Sequence, residues 1–405
     1  MIDRLQTCLP TSLQGGPRRA GFLLLAGCVS LALVSIAASQ ILLAGAILGA
    51  VLLWKREGWR PALPATLLWS LLFLLLWTAI AVFAAGGSLR AALIRKFILF
   101  SLLLLVPMLA RGADKILWIY RAVFAVSAVS AIAGLVQFAL NPHRGLLDRI
   151  KGFMSIWMTF SGLLMLVLVA LVAYVISLGW RKHLWGIPLI VALAAALYVS
   201  QTRSAWLGAI LGIAVILVLK RPRAILALAA MLLALYLASP ASFQQRLRSG
   251  WNPNDPNTRN RIELFGTTLR LIQDHPWLGV GQRVSLEAPK YRGSLEFPDW
   301  MYLHMHNNFL QIAAERGIPG LVLWLWFMLN LGWEAFRVFV STSGKANTDS
   351  GDPRAASSFV AAAAIGGWIA LLAAGMFEYN FGDSEILTLF LFMMSAPFAL
   401  KKSDE

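Results

Sequence analysis

The sequence predicts an all-α, polytopic membrane helix bundle of about 12 transmembrane helices. Of the 405 residues, 59% are hydrophobic and only 13% are charged, whereas soluble globular proteins contain about 25% charged residues. Apolar segments recur along most of the chain, and a helix needs about 20 apolar residues to cross a bilayer. One long polar stretch, from about Gln244 to Gly317, interrupts them. This pattern excludes an ordinary soluble domain.

The apolar segments divide the chain into three parts. We expect a membrane bundle over residues 1–239, a long loop with short helices over residues 240–317 and a second group of spans over residues 318–405. The expected spans are residues 21–37, 40–54, 62–85, 89–109, 116–140, 153–178, 184–200, 204–219, 224–239, 318–340, 357–377 and 386–400.

Lysine and arginine set the expected orientation, because short loops rich in these residues face the cytoplasm. Alternate loops carry them, as at Lys55 and Arg56 or at Arg181 and Lys182. This places both termini in the cytoplasm and the long loop on the outer face, which is the periplasm in a bacterial inner membrane. Glu378 and its acidic neighbours fall outside, as expected for an acidic outer loop.

A second group of basic residues breaks this rule by lying in or near short loops on the outer side. A shared anionic ligand would hold them there, and phospholipid headgroups are the alternative for any one of them. The long loop places nine more basic residues on the same side, which favours a shared ligand. The exceptions are Arg90, Arg95, Lys96, Arg144, Arg149, Lys151 and Arg203.

The run from Ser200 to Trp206 lies at the outer junction of two spans. Thr202 belongs to the residue types that cap helix N-termini, and such a cap would leave backbone N–H groups facing outward. A helix N-terminus beside a fixed arginine binds anions. We expect Arg203 to belong to an anion site; the alternative is an ordinary capped turn whose arginine reaches the headgroups.

Residues 258–273 have apolar positions at helical spacing, and Asp274-His275-Pro276 ends the pattern. This predicts an amphipathic helix on the membrane surface. Its arginines would meet either the phosphates of a lipid-linked substrate or lipid headgroups. The apolar positions are Ile262, Phe265, Leu269 and Ile272, and the arginines on other faces are Arg259, Arg261 and Arg270.

His306 comes just before another predicted helix, which Asn307 or Asn308 would cap and which Gly317 would end. The positive end of the helix dipole favours a neutral imidazole that can accept a proton. A sugar hydroxyl acting as a nucleophile needs such a base. A structural hydrogen bond at the cap is the alternative role.

A metal site formed by His304 and His306 is the weaker interpretation of this pair. Residues two positions apart point about 200° apart on a helix, and a site would need two more ligands. Cys8 and Cys28 are too few and too badly placed for a disulfide framework or a cysteine metal site.

These motifs together resemble the signature of the O-antigen ligase and polymerase superfamily. The resemblance lies in the stretch from Asp274 to Gln282, the run from His304 to Leu310 and the run from Glu315 to Gly320. The run from Ser200 to Trp206 also matches, with a threonine where many members have serine.

The specific match covers residues 200–320, and elsewhere only the number and spacing of spans agree. The resemblance implies a GT-C-type membrane fold. It also implies a ligase that moves a glycan from undecaprenyl diphosphate onto the lipid A core oligosaccharide at the periplasmic face, completing lipopolysaccharide.

The resemblance carries over site residues one by one. His306 is the expected base, and Arg203 and Arg261 are expected to act in catalysis and to bind the diphosphate. We expect further diphosphate contacts from Arg259, Arg95 and Lys96. His304 and Asn307 are expected secondary residues.

Fixed guanidinium groups would meet the charge on a diphosphate leaving group without a metal. His306 would deprotonate the acceptor hydroxyl, whose attack from the opposite face inverts the anomeric carbon. The first outer loop, residues 38–40, lacks the acidic residues expected of metal-dependent GT-C members. We therefore expect no metal and no cofactor. The expected partners are the two glycolipids and membrane lipids, and no nucleic acid.

Three other functions are also compatible with the sequence. A polysaccharide polymerase shares the signature and the donor but uses another lipid-linked glycan as the acceptor. A protein-glycosylating oligosaccharyltransferase is less favoured, because no additional C-terminal domain follows the signature. A transporter or flippase of lipid-linked glycans would normally need acidic or paired ionisable groups within its spans, and no Asp or Glu lies near the middle of a predicted span.

Overall fold

A computed structural model describes residues 16–57, 63–86, 97–141, 149–293, 299–342 and 353–400, and this part of the chain is helical without any strand. The predicted all-α class is therefore confirmed over these ranges. The helices are α1 (Gly16–Leu31), α2 (Ile36–Glu57), α3 (Ala65–Ala84), α4 (Leu102–Leu109), α5 (Ala113–Leu140), α6 (Trp157–Leu178), α7 (Gly186–Val199), α8 (Arg203–Lys220), α9 (Ala224–Ala238), α10 (Ala241–Arg248), α11 (Pro256–Asp274), α12 (Val284–Glu287), α13 (Asn308–Thr342), α14 (Pro353–Gly375) and α15 (Ser384–Ser395).

Within the described ranges, seven helices are long and apolar enough to cross a membrane, or eight if α9 and α10 form one bent span. Three other apolar helices are shorter, namely Phe97–Leu109, Gly186–Val199 and Ser384–Leu400. Every predicted span overlaps a helix, but several helices fall short of the length that a single crossing needs. A membrane bundle is thus supported, while the count of about 12 spans and the GT-C class stay predictions.

The centre of the bundle is formed by α6 and α14. In each, 78% of the most apolar stretch is buried inside the protein, against 44% or less in the other five long helices. Against α14 lies α8, where a Cβ at Gly208 would come within 2.7 Å of the Ala370 carbonyl oxygen and one at Gly212 within 2.7 Å of the Gly366 carbonyl oxygen. Small residues permit this close approach. The pairing is antiparallel, so Arg203 at the start of α8 lies beside the end of α14.

The start of α13 is tied to the segment that follows α14. The buried Asn308 side chain donates from Nδ2 to Asn380 Oδ1 over 2.6 Å, and its Oδ1 accepts the N–H of Phe381 over 3.0 Å. Three helix termini therefore meet on one side of the bundle: the starts of α8 and α13 and the end of α14.

The predicted amphipathic helix is present as α11. Its buried side, with Leu264 and Leu271, packs against Met305 and Ala313. Three of the four expected apolar positions point outward instead, as a helix on a membrane surface would require, and Ile272 is buried. The outward residues are Ile262, Phe265 and Leu269.

Two glycine-containing turns explain why the stretch after α11 and the run around Gly317 belong together. The Val280 N–H donates to the Ala314 carbonyl oxygen over 2.9 Å, and the Ile318 N–H donates to that of Pro276 over 2.7 Å. Gly317 interrupts α13 with φ +69°, and a Cβ there would lie 2.0 Å from the Trp277 carbonyl oxygen. Only glycine fits this conformation and this contact. The predicted end of the helix at Gly317 is thus confirmed as a break, after which α13 resumes.

Candidate active site

His306 lies in the turn that starts α13. Asn307 caps the helix, because its Oδ1 accepts the Leu310 N–H over 3.0 Å, while its Nδ2 donates to the Met376 carbonyl oxygen over 2.8 Å. This confirms the predicted cap. His306 itself has φ +46°, a left-handed conformation that is uncommon outside glycine and costs about 1 kcal/mol or more. The two hydrogen bonds of the neighbouring Asn307 side chain hold His306 in this conformation.

Glu378, in the loop after α14, faces both histidines. Its Oε1 lies 3.2 Å from Nδ1 of His306 and 3.9 Å from Nδ1 of His304. The two imidazole rings are 4.2 Å apart between centroids. Burial on its own would raise the pKa of Glu378, but the hydrogen bond with His306 and the charges of His306, His304 and Arg261 outweigh it and lower this pKa to about 2. Glu378 is therefore a carboxylate at any physiological pH.

A carboxylate in this position determines which nitrogen of His306 can accept a proton. In the tautomer with hydrogen on Nδ1, that N–H donates to Glu378, and Nε2 carries the free lone pair. The His306 side chain is 18% exposed, so the ring is held yet reachable. An imidazole that a carboxylate orients in this way can act as a general base. This carboxylate is a more direct influence on His306 than the helix dipole that the sequence predicts.

The same three side chains could hold a metal ion, since one ligand atom from each of His304, His306 and Glu378 lies within 4.8 Å of the others. The helical geometry predicted for the histidine pair is wrong, because residues 304–306 precede α13 and are not in an α-helix. The expectation of a metal-free site therefore depends on electrostatics and not on the spacing of the histidines.

Four arginines from different elements gather beside this histidine–glutamate pair. Arg149 interacts electrostatically with Glu378 and with the other three members, and Arg261 also acts on Glu378. Arg203 interacts with Arg246 and Arg261. We call Arg149, Arg203, Arg246 and Arg261 the guanidinium cluster. Repulsion between these like charges favours an anion between them.

Arg203 is held at the start of α8 by the segment that follows α10. Its Nη1 donates to the Arg246 carbonyl oxygen and to Ser249 Oγ, both over 3.2 Å. Thr202 is the N-cap residue, but its side chain does not cap the helix. The predicted side-chain cap is wrong, because the Thr202 hydroxyl bonds to Ser161 and to the Ser200 carbonyl oxygen instead.

Arg149 is fixed by two contacts: Nη1 donates to the Gln201 carbonyl oxygen over 3.1 Å, and the guanidinium lies 4.6 Å from the centroid of the Trp157 ring. Burial lowers the pKa of Arg149 to about 10, and the charges of its cluster neighbours act in the same direction. At neutral pH the group stays protonated. A bound anion would offset its burial and the repulsion from the neighbouring arginines.

Arg246, on the short helix α10, has a buried hydrogen-bond donor that a bound anion could satisfy. Its Nε is buried and has no hydrogen-bond partner within the described residues. A buried N–H of a charged group without a partner is costly. A ligand oxygen that accepts from Nε would remove this cost.

The other predicted site residues have different outcomes. Arg259 is exposed and lies two positions before Arg261 on α11, so the two side chains point to different sides of the helix. Its contact with a diphosphate stays a prediction. Arg95 and Lys96 lie outside the described residues, as do Arg90 and Arg144.

Sequence reasoning missed two members of this site. The sequence places Glu378 in an ordinary acidic outer loop, and its position on the same predicted face as His306 is the only signal that links the two. In the sequence Arg246 is one of nine basic residues in the long loop, and nothing distinguishes it from the others. Neither residue is near its partners in the sequence, so no local motif could have shown the contact.

Comparisons with known proteins give a matching family model and curated relatives. Residues 188–325 match the sequence model of the O-antigen ligase family. A protein of Rickettsia conorii, named only provisionally as a polysaccharide ligase, is 30% identical over 208 residues, which cover 47% of this chain and 49% of that protein. A similarly named protein of Rickettsia felis is 28% identical over 206 residues, which cover 47% of this chain and 50% of the relative.

The chain thus spans about half the length of the curated relatives it matches. The matched segment contains Arg203, Arg246, Arg261 and His306, which are the residues that the fold brings to one side of the bundle. The resemblance to the O-antigen ligase family that the sequence predicts is therefore confirmed over residues 188–325.

Proposed function

We propose that this protein is a membrane glycosyltransferase that moves a glycan from undecaprenyl diphosphate to the lipid A core oligosaccharide. The reaction takes place at the periplasmic face of a bacterial inner membrane, inverts the anomeric carbon and requires no metal. The observation that carries the proposal is the guanidinium cluster beside a histidine–carboxylate pair. A diphosphate donor and a hydroxyl acceptor need these two groups side by side.

The proposed chemistry uses both groups. Nε2 of His306 takes the proton of the acceptor hydroxyl, and the oxygen attacks the anomeric carbon of the donor. The bond between that carbon and the diphosphate oxygen breaks, and its electron pair leaves with the diphosphate. The guanidinium cluster stabilises the charge that grows on the leaving group, and such preorganised electrostatic stabilisation is usually the largest single contribution to catalysis. The proton on His306 then passes to solvent.

Glu378 acts as a positioning residue, so Glu378→Gln should lower kcat by at least about 100-fold while KM for the donor changes little, because the amide no longer fixes the proton on Nδ1. Glu378→Asp should retain part of the activity. Equal kcat for the parent and the glutamine variant would contradict this role.

The stability of the same variant tests the charge state of Glu378. Because its pKa in the folded protein, about 2, lies below the ordinary value of 4.5, ionised Glu378 stabilises the fold fully above the ordinary pKa and loses this effect as the pH falls toward 2. The Tm difference between the parent and Glu378→Gln, measured in detergent, should be constant above about pH 5.5 and shrink below about pH 4.5. A difference that shrinks between pH 8 and 6 would contradict the assignment.

A divalent cation at His304, His306 and Glu378 would add positive charge beside four guanidinium groups, so we expect none to be required. Transfer by the purified protein should continue at an unchanged rate in EDTA. Stoichiometric metal in the purified protein, together with loss of activity in EDTA and its return with magnesium, manganese or zinc, would contradict this expectation.

The whole proposal is tested by mixing the purified protein with a lipid-diphosphate glycan and rough lipopolysaccharide. A ladder of glycosylated lipopolysaccharide is the expected product. Growth of the lipid-linked glycan itself, without transfer to lipopolysaccharide, would identify a polymerase instead. Movement of the glycolipid across a vesicle membrane without any new glycosidic bond would identify a transporter.

A further inference from the structure

We propose a second ligand site, for an anionic phospholipid, in a groove between α5 and α7. The groove has a volume of about 420 Å³, within the range of roughly 300–1,000 Å³ that small-molecule sites occupy. We call it the Arg121 groove. Its lining includes Arg121, Ala125, Ala128 and Ile132 from α5, Trp185 just before α7 and Ala192 within α7.

Arg121 is the one charged residue of this lining, and it is exposed on an otherwise apolar face of α5. Its Nε donates to the hydroxyl of Tyr174 over 3.0 Å. No carboxylate pairs with it in the part of the chain that the structure describes. The terminal nitrogens of the guanidinium are therefore available to a ligand, and an arginine facing lipid within a span is a candidate binding residue.

The contact with Tyr174 fixes the guanidinium of Arg121, which is therefore not a freely moving side chain. The Tyr174 ring is fully buried and packs against His183 at 4.9 Å and against Trp185 at 5.8 Å between centroids. An arginine that merely reached toward water would extend along the helix toward its end. The bond to Tyr174 holds the guanidinium in the groove.

The length of the groove fits one acyl chain of one leaflet. From Arg121 to Ile132 the helix rises about 16 Å, at about 1.5 Å per residue. Half the hydrocarbon core of a bilayer is about 15 Å thick. A lipid whose phosphate meets Arg121 would thus lay its chain along Ala125 and Ala128 toward Ile132.

Charge identifies the headgroup as anionic. The loop that leads into α7 carries Arg181 and Lys182, four and three residues before the groove residue Trp185, and basic pockets between helices bind anionic lipids. This end of the bundle is opposite the guanidinium cluster, since α7 runs from Gly186 to Val199, just before Arg203. The site is therefore separate from the proposed active site and does not depend on the proposed function.

The test is lipid retention by the full-length protein, measured by native mass spectrometry after incubation with phosphatidylglycerol or with phosphatidylcholine. The parent should retain phosphatidylglycerol in preference. Arg121→Gln should lower this retention by about fivefold or more. Arg223→Gln removes the same charge from another loop on the same predicted face, where Arg223 is exposed, and should retain the lipid like the parent.

A second variant tests the acyl chain without changing any charge. Ala192→Phe fills the groove and should lower retention of phosphatidylglycerol, while leaving the thermal unfolding of the protein unchanged. The proposal is overturned if Arg121→Gln and Arg223→Gln retain equal lipid, if phosphatidylcholine is retained as strongly as phosphatidylglycerol, or if a folded Ala192→Phe variant behaves like the parent.

Discussion

Replacing His306 with alanine should lower kcat for glycan transfer by about 100- to 10,000-fold, which is the usual contribution of a positioned general base. The acceptor hydroxyl would lose the group that removes its proton. Donor binding should persist, because the guanidinium cluster is unchanged. The measurement is turnover of lipid-linked glycan by the purified variant, together with a direct assay of donor binding.

His275→Ala is the matched control for this variant. His275 is exposed at the end of α11 and touches Tyr291 but not Glu378, so its loss should leave turnover within a few-fold of the parent. His304→Ala is informative as well, since His304 is farther from Glu378 than His306 is and should have the smaller effect. Near-normal turnover by a folded His306→Ala protein would remove the base assignment.

Replacing Arg203 or Arg261 with alanine should lower kcat/KM by about 100-fold or more, because each supplies a fixed positive charge where the leaving diphosphate develops its charge. Lysine at either position should rescue poorly, since it lacks the planar fork that contacts two phosphate oxygens. Arg246→Ala should show a similar loss, because its buried Nε has no hydrogen-bond partner within the described residues.

Two arginines on the same helices provide controls. Arg270 on α11 pairs with Glu263, and Arg248 on α10 bonds to the Tyr236 hydroxyl; neither belongs to the guanidinium cluster. Alanine at these positions should leave transfer largely intact. Equal losses at Arg248 and Arg246 would show that general basic charge matters and not this cluster. A lysine variant as active as the parent would contradict the proposed contact of arginine with two phosphate oxygens.

Several features of the site could be predicted because they depend on residues close together in the sequence. The cap at Asn307, the break at Gly317 and the position of His306 just before a helix follow from local turn and capping preferences. Arg203 could be placed at a helix start because the run from Ser200 to Trp206 lies at the junction of two apolar segments. Each of these features needs only a few neighbouring residues.

Other features depended on contacts that local patterns do not encode. The sequence predicts that the Thr202 side chain caps α8, but its hydroxyl oxygen instead accepts a hydrogen bond from Ser161 on another helix. The helical geometry predicted for the histidine pair is wrong, because the turn at His306 is left-handed. The number of spans is equally hard to read from composition, because several apolar helices in the described ranges are shorter than a bilayer requires.

Hydropathy and the signature over residues 200–320 determined by themselves that this is a helical membrane chain with a resemblance to the O-antigen ligase family. The asymmetry of the basic residues adds the prediction of an anion-binding outer segment. Only the tertiary structure decided that Glu378 faces His306 and that Arg149 and Arg246 join Arg203 and Arg261. The reason is physical: close glycine packing between α8 and α14 and the Asn308–Asn380 bond bring together helix ends that are far apart in the sequence. Periodicity records which face of a helix is apolar, but it does not record which helix that face meets.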